Sequence, residues 1–180
     1  MAFFALGAGL RGYERVQGVY TRLPLLFARR ILERYGGRVV SIVLYGSVAR
    51  GCAGKDSDLD LLLIIEDLPS IYSRRMDELV SLEFDPFLRR ELEFLRGEGY
   101  AVDFSYVPLT PEEAKSFRPL FLDVLTDGIP IFDRDSFFER QAKIFLGRLS
   151  SLGAKRIKTK DGLWYWMVKP YVKFGETIQV

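Results

Sequence analysis

The sequence predicts one mixed α/β (α+β) domain that carries a C-terminal helix and a β-hairpin as an extension. Its 180 residues match the size of a single domain. Three segments rich in β-branched, aromatic and leucine residues, RVVSIVLY, DLDLLLII and YAVDFSYV, are typical of buried strands. The stretches between and after these segments carry apolar residues at helical spacing. Strands therefore alternate with helices, which favours this fold class.

The first half of the chain supplies three of the predicted strands and the helices between them. The strands are expected at residues 38–45, 58–65 and 100–107. Residues 12–36 are predicted to be helical with an interruption at Pro24, and residues 70–97 to form two helical pieces that separate near Asp85–Pro86. The glycine-rich residues 46–55 leave room for one short helical turn.

The second half of the chain is predicted to be mainly helical, with one short strand and a hairpin. Thr110, Pro111 and Glu113 form a helix start, in which Thr110 caps and Glu113 completes the capping box. The remaining elements are a helix through Thr126, a strand at 129–132, a helix after Asp135, and a hairpin of 154–158 and 163–168 around Thr159–Gly162. We divide the chain into an N-terminal helical segment (1–24), a core (25–132) and a C-terminal extension (133–180).

Composition excludes several classes of chemistry. The chain has no histidine, which removes Ser-His-Asp and Cys-His catalysis and every His-ligated zinc site. A metal site must therefore use oxygen ligands, which favours Mg²⁺ or Mn²⁺. Cys52 is the single cysteine, so we expect no intrachain disulfide and a reduced, cytoplasmic location. No apolar segment is long enough for a membrane span, and the absence of asparagine hints at a thermophilic source.

Charge is unevenly distributed along the chain. Residues 140–173 contain nine lysines and arginines and a single acid, Asp161, although the whole chain carries a net charge of only +2. One interpretation is an ordinary solvated face. The other is a surface for a polyanion such as RNA, or for an acidic partner protein.

The segment SIVLYGSVARGCAGKDSDLDLLLII, residues 41–65, carries the chemistry. Gly46 allows a sharp turn and a close approach of the backbone to a ligand. Ser47 opens the following helical turn, where its hydroxyl and nearby N–H groups could hold a phosphate, and Arg50 could pair with phosphate oxygens.

Asp58 and Asp60 are two residues apart on a predicted strand, so both point to one face. Two close carboxylates at the rim of a core are unfavourable without a counter-ion, and a divalent metal would remove that penalty. Asp103 lies within the third predicted strand, YAVDFSYV. If that strand lies beside the second, its carboxylate comes within reach of the same metal.

These residues resemble the nucleotidyltransferase superfamily that includes DNA polymerase beta, and most of all its minimal archaeal and bacterial members. The likeness rests on GSVARG at 46–51, SDLDL at 57–61 and an acid on a later strand, and it covers residues 25–107. It implies a mixed sheet flanked by helices. It also implies transfer of a nucleoside monophosphate from a nucleoside triphosphate, with ATP as the expected donor, to a hydroxyl with release of pyrophosphate.

The resemblance also implies roles for individual residues. Asp58 and Asp60 would bind two Mg²⁺ (or Mn²⁺) ions, and Asp103 would complete the carboxylate set and help to deprotonate the acceptor. The residues expected to bind the nucleotide are Gly46, Ser47, Arg50 and Ser57. Similar minimal members are antitoxins that adenylylate a HEPN-type toxin, so a partner protein of that kind leads the list of acceptors, ahead of an RNA end or a small molecule.

Other interpretations stay open at this point. The Asp pair could be solvated, Asp103 could be an edge-strand acid facing water, and Arg50 could form a surface ion pair. The chain could also be a non-catalytic module of the same fold that binds RNA or protein through Arg156, Lys158 and Lys160 of the basic hairpin. An aminoglycoside-type transferase is disfavoured because those enzymes carry a larger substrate domain. The aromatic content is compatible with a homodimer.

Overall fold

A four-stranded mixed sheet forms the centre of the computed structural model, which describes residues 10–160, 164–178 and 180. The strands are β1 (Val39–Tyr45), β2 (Leu59–Ile65), β3 (Phe104–Leu109) and β4 (Ile129–Asp133), in the spatial order β3-β2-β1-β4. β1 is antiparallel to both β2 and β4, whereas β2 and β3 run parallel.

Helices cover both faces of the sheet. They are α1 (Leu23–Tyr35), α2 (Gly46–Arg50), α3 (Tyr72–Glu83), α4 (Pro86–Gly97), α5 (Pro111–Ala114), α6 (Phe121–Asp127) and α7 (Phe137–Ser151). On one face, Phe27 of α1 packs in a core cluster with Leu61 of β2. On the other face, Leu62 belongs to a cluster with Phe121 and Phe145 of α6 and α7. Because β2 is buried on both faces, it needs a continuous apolar sequence, and the fold class predicted above is confirmed.

Two predicted elements differ from the structure at their N-terminal ends. Pro24 does not interrupt a helix but stands in the first turn of α1, where the missing N–H has no consequence. Short 3₁₀ turns at Tyr13–Arg15 and Gly18–Thr21 precede it. β3 begins at Phe104, not at Tyr100, because its partner β2 begins only at Leu59, which pairs with Phe104.

The C-terminal hairpin is present. β5 (Lys155–Lys158) pairs antiparallel with β6 (Trp164–Met167). Part of the predicted turn (161–162) and the predicted start of the second strand (163) lie outside the described residues. Residues 1–9 of the N-terminal segment also lie outside them. In the described part of the chain, no helix has the length and apolar character that crossing a membrane requires. The boundaries 1–24, 25–132 and 133–180 stay a prediction.

Candidate active site

The predicted site lies where β1 ends, α2 turns and β2 begins. α2 follows β1 without a linker, and Gly46 makes the turn with a positive φ of 74°. A Cβ atom at this position would lie 2.0 Å from Oδ2 of Asp60. Two features therefore require glycine at this position: the positive φ of the backbone and the Asp60 carboxylate, which lies where a side chain would be.

Asp60 lies half-buried at the start of β2, between two neighbouring strands. It pairs with Tyr45 of β1 and with Ser105 of β3 in the sheet register. Burial raises the pKa of Asp60 above its usual range, and the charge of Asp58 raises it further, while hydrogen bonding with Ser105 and the charge of Arg50 act in the opposite direction. Burial and the charge of Asp60 also raise the pKa of Tyr45 to about 12. The site therefore disfavours additional negative charge as long as no cation is present.

Asp58 is exposed beside this half-buried acid. Among the described residues, neither Asp58 nor Asp60 has an ion-pair partner. The described part of the chain also contains no group of three acidic, cysteine or histidine side chains that could hold a metal ion. Mg²⁺ does not need such a group, since it is commonly bound by one or two carboxylates together with substrate phosphates. The donor set of Asp58 and Asp60 therefore fits Mg²⁺ or Mn²⁺ that arrives with a triphosphate.

Asp103 lies at the same edge of the sheet, but not as predicted. The expected adjacency of its strand to β2 is confirmed, since the N–H of Leu59 donates to the Asp103 carbonyl at 2.8 Å. The expectation of a mid-strand acid is wrong, because β3 begins one residue later. The exposed Asp103 carboxylate accepts from the N–H of Phe104 at 2.8 Å. Burial raises the pKa of Glu83, and the charge of Asp103 adds to that shift. In this structure, Asp103 does not form a three-carboxylate group with Asp58 and Asp60.

The two predicted serine ligands lie in different surroundings. Ser47 is half-buried in α2, and no described residue forms a hydrogen bond with its hydroxyl. Ser57 instead organises the loop before β2, since its hydroxyl accepts from the N–H of Gly54 at 2.9 Å. The hydroxyl of Tyr20 donates to the Gly54 carbonyl at 2.7 Å and fixes the same loop from outside. Ser47 is therefore available to a ligand, whereas Ser57 has a structural contact.

Arg50 forms the ion pair that the sequence left as an alternative. Its Nη1 lies 3.6 Å from Oδ2 of Asp127 at the end of α6. Arg156 of β5 binds the same carboxylate with both guanidinium nitrogens, at 3.2 and 2.9 Å. Arg156 is thereby occupied, so the polyanion-binding interpretation loses one of its three named residues, while Lys158 and Lys160 stay exposed.

Sequence reasoning missed Ser105, Tyr45 and Asp127. Ser105 follows only from the register of the parallel strands, which pairs Leu59 with Phe104 and Asp60 with Ser105. Tyr45 is the residue directly before the glycine turn. Asp127 lies 77 positions from Arg50 along the chain, and no local pattern marks it.

Comparisons with known proteins identify the family of the chain. A model of the nucleotidyltransferase domain matches residues 27–127. A Methanocaldococcus jannaschii protein with the name "Putative protein adenylyltransferase" is 35% identical over 134 residues, which are 73% of this chain and 81% of that protein.

Among solved structures, the chain is similar to a toxin–antitoxin with AMP-PNP, at 14% identity and a TM-score of 0.41 over 71% of this chain and 91% of that one. It is also similar to a structure of a tri-AMPylated HEPN toxin from Shewanella oneidensis in complex with its MNT antitoxin, at 16% identity and a TM-score of 0.40, covering 72% and 88% of the two chains. Both TM-scores lie below 0.5, so the family assignment depends on the domain model and the sequence relative.

Proposed function

Since the chain belongs to the nucleotidyltransferase domain family and is a nucleotidyltransferase, we propose that a divalent metal held by Asp58 and Asp60 supports its reaction. The donor is a nucleoside triphosphate, with ATP as the first candidate, and the acceptor is a hydroxyl of a partner protein. The observation that carries this proposal is the half-buried Asp60 beside Asp58, two acids without an ion-pair partner among the described residues. Such a pair is suited to an external cation.

The metal would be Mg²⁺ or Mn²⁺, which the oxygen ligands of Asp58 and Asp60 favour. When bound, such an ion neutralises charge on the attacking and leaving oxygens. Ser105 supports this arrangement from β3, because its hydrogen bond favours the charged form of Asp60 that binds a cation.

The triphosphate would lie against the turn from β1 into α2. At Gly46 the lack of a side chain lets the Asp60 carboxylate lie against the turn, and the half-buried hydroxyl of the next residue, Ser47, is available to donate to a phosphate. Arg50 would pair with phosphate oxygens, as its charge already acts on Asp60 and its contact with Asp127 is long, at 3.6 Å. Ser57 would act on the nucleotide through the loop that it organises with Gly54.

Asp103 would take part at the acceptor side. Its backbone lies beside Leu59, one residue from each acid of the pair, and its carboxylate is exposed. A side-chain rotation away from the N–H of Phe104 would direct the carboxylate toward the acceptor hydroxyl, where it would accept the proton.

A partner protein is the proposed acceptor because the relative with 35% identity carries the name "Putative protein adenylyltransferase". A HEPN-type toxin is the specific candidate, on the resemblance to antitoxin members of the superfamily. An RNA end is the second acceptor to be tested.

Titration calorimetry with ATP, GTP, CTP and UTP in Mg²⁺ tests the nucleotide site directly. We expect metal-dependent binding of at least one triphosphate by the wild type and its loss in the double variant Asp58→Ala/Asp60→Ala. Asp56→Ala is the matched control, because Asp56 is an exposed acid of the same loop and should bind as the wild type does. A wild type that binds no triphosphate would contradict the proposal.

Label transfer tests the reaction. ATP labelled at the α-phosphate should label a HEPN-type partner protein, whereas ATP labelled at the γ-phosphate should not, because the γ-phosphate leaves with pyrophosphate. Label from the γ-position would indicate phosphoryl transfer and would contradict nucleotidyl transfer to that acceptor.

A further inference from the structure

Asp127 connects the C-terminal hairpin to the predicted nucleotide site. It ends α6, with a side chain that is only 10% exposed. Arg156 of β5 donates from Nη1 to Oδ1 and from Nη2 to Oδ2, at 3.2 and 2.9 Å. Arg50 of α2 approaches the same Oδ2, at 3.6 Å. Arg156 therefore makes the bidentate pair, and Arg50 is the more distant partner of an oxygen that already has a donor.

Trp164 of β6 completes this contact. Its ring lies 5.7 Å from the Arg50 guanidinium carbon, and the Arg156 guanidinium also lies over the ring. Arginine side chains favour such positions over an indole face. Two strands of the hairpin thus contribute to one arginine-rich cluster, which borders the turn that carries Gly46 and Ser47.

We propose that Arg156 and Trp164 are positioning residues of the nucleotide site, which keep Arg50 available to the triphosphate. This inference rests on the proposed function. Arg156 neutralises Asp127, so Arg50 can leave that carboxylate for a phosphate without leaving a buried charge unpaired. Without Arg156, Arg50 would be the nearest side-chain cation to the buried Asp127 carboxylate. Moving Arg50 to a phosphate would then leave the charge of Asp127 unpaired, which is unfavourable.

A double-mutant cycle on ATP binding tests the idea. Titration calorimetry with Mg²⁺ and ATP would compare the wild type, Arg156→Gln, Asp127→Asn and the combined variant. We expect Arg156→Gln to weaken ATP binding about tenfold, because Asp127 then retains Arg50. Asp127→Asn alone should bind ATP at least as well as the wild type, since Arg50 is released.

The combined variant distinguishes positioning from general structural damage. Once Asp127 is neutral, loss of Arg156 should not matter, and the combined variant should bind ATP within about twofold of Asp127→Asn. Damage to the fold would instead make the combined variant weaker than either single variant. Equal binding by the wild type and Arg156→Gln, or a combined variant as weak as Arg156→Gln, would overturn the inference and leave the proposed function intact. A wild type without triphosphate binding would overturn both.

Tryptophan fluorescence gives a second test that does not depend on the folding of Arg156 variants. The chain has two tryptophans, so Trp166→Phe leaves Trp164 as the only one. The substitution is mild, because Trp166 Nε1 is buried without a hydrogen-bond partner among the described residues. Saturating ATP with Mg²⁺ should change the Trp164 emission as Arg50 leaves the ring, and the matched variant Trp164→Phe should show no change. Unchanged Trp164 emission at saturating ATP would overturn the inference.

Discussion

Arg50 lies between two acidic regions that differ in whether their carboxylates are paired with arginine. Arg156 binds both carboxylate oxygens of Asp127, Arg50 approaches one of them, and the Asp127 carbonyl accepts from Arg15 at 3.3 Å. Asp58 and Asp60 lie together at the start of β2, and no described residue forms an ion pair with either. One region therefore has more positive than negative charge, and the other has two acids and only the distant charge of Arg50.

The difference separates a structural acid from the proposed binding site. A buried carboxylate that is fully paired stabilises the packing of its own neighbours and has no free position for a ligand. Two close carboxylates without a cation repel each other and destabilise the empty site, and the proposed metal ion would remove that repulsion. The comparison predicts that substitutions in the two regions have effects of different kind and sign.

Gly46→Ala should have the largest effect, on activity. The new Cβ would meet Asp60 Oδ2 at 2.0 Å, and the φ of 74° is unfavourable for alanine. Asp60 would have to move away from the turn, and a displacement of about 1 Å at a reacting centre reduces rates about 100-fold. The measurements are the rate of nucleotidyl transfer and the affinity for ATP, each compared with the wild type.

Gly54→Ala is the matched control in the same loop region. A Cβ at Gly54 would meet no atom within 4 Å, and this glycine does not have a positive φ. We expect wild-type binding and transfer. Equal behaviour of Gly46→Ala and Gly54→Ala would mean that contact between Gly46 and Asp60 does not define the site.

Local patterns predicted the fold and one of the two acidic regions. The apolar run of β2 and the capping box at Thr110 follow from neighbouring residues, and both are present. The GS turn and Asp58-x-Asp60 are equally local, and the structure brings Gly46 and Asp60 into contact.

The other region depends on contacts between distant parts of the chain. Asp127 is paired with Arg156 through the docking of the hairpin on α6, which no periodicity encodes. Asp103 was misplaced for a related reason, because the start of β3 depends on where its partner β2 begins. The sequence therefore predicted a site from local patterns, but not the residues that contact Arg50 from distant parts of the chain.

Asp127→Asn should have an intermediate effect, on stability. The substitution keeps the shape but removes the charge that pairs with Arg156, whose side chain is only 16% exposed. We expect a loss of about 2 kcal/mol in the free energy of unfolding, measured by urea denaturation. Asp123→Asn on the same helix is the control, because Asp123 is exposed and its substitution should change stability by less than about 0.5 kcal/mol. If Asp127→Asn lowers the free energy of unfolding by no more than Asp123→Asn does, the pairing of Asp127 with the arginines contributes no stability.

Asp60→Asn should have the smallest effect and the opposite sign. Burial and the charge of Asp58 raise the pKa of Asp60 in the folded state. Asp60 therefore contributes its full stabilisation only at a pH below its pKa in the unfolded chain, 3.8. That stabilisation is lost as the pH rises through the higher pKa that Asp60 has in the folded protein. At pH 7 and without metal, the wild type therefore carries a penalty that the neutral asparagine avoids, and Tm should rise by about 2–4 °C in the variant.

The dependence on pH and metal checks the cause of this gain. In thermal unfolding with EDTA, the difference in Tm between Asp60→Asn and the wild type should shrink as the pH falls toward 4, because Asp60 then becomes protonated. Mg²⁺ with ATP at neutral pH should stabilise the wild type and leave the variant unchanged, since a ligand that binds only the folded state raises its stability. A variant that is less stable than the metal-free wild type at pH 7 would show that Asp60 is already neutralised by the protein, as Asp127 is. The contrast between the two acidic regions would then no longer hold.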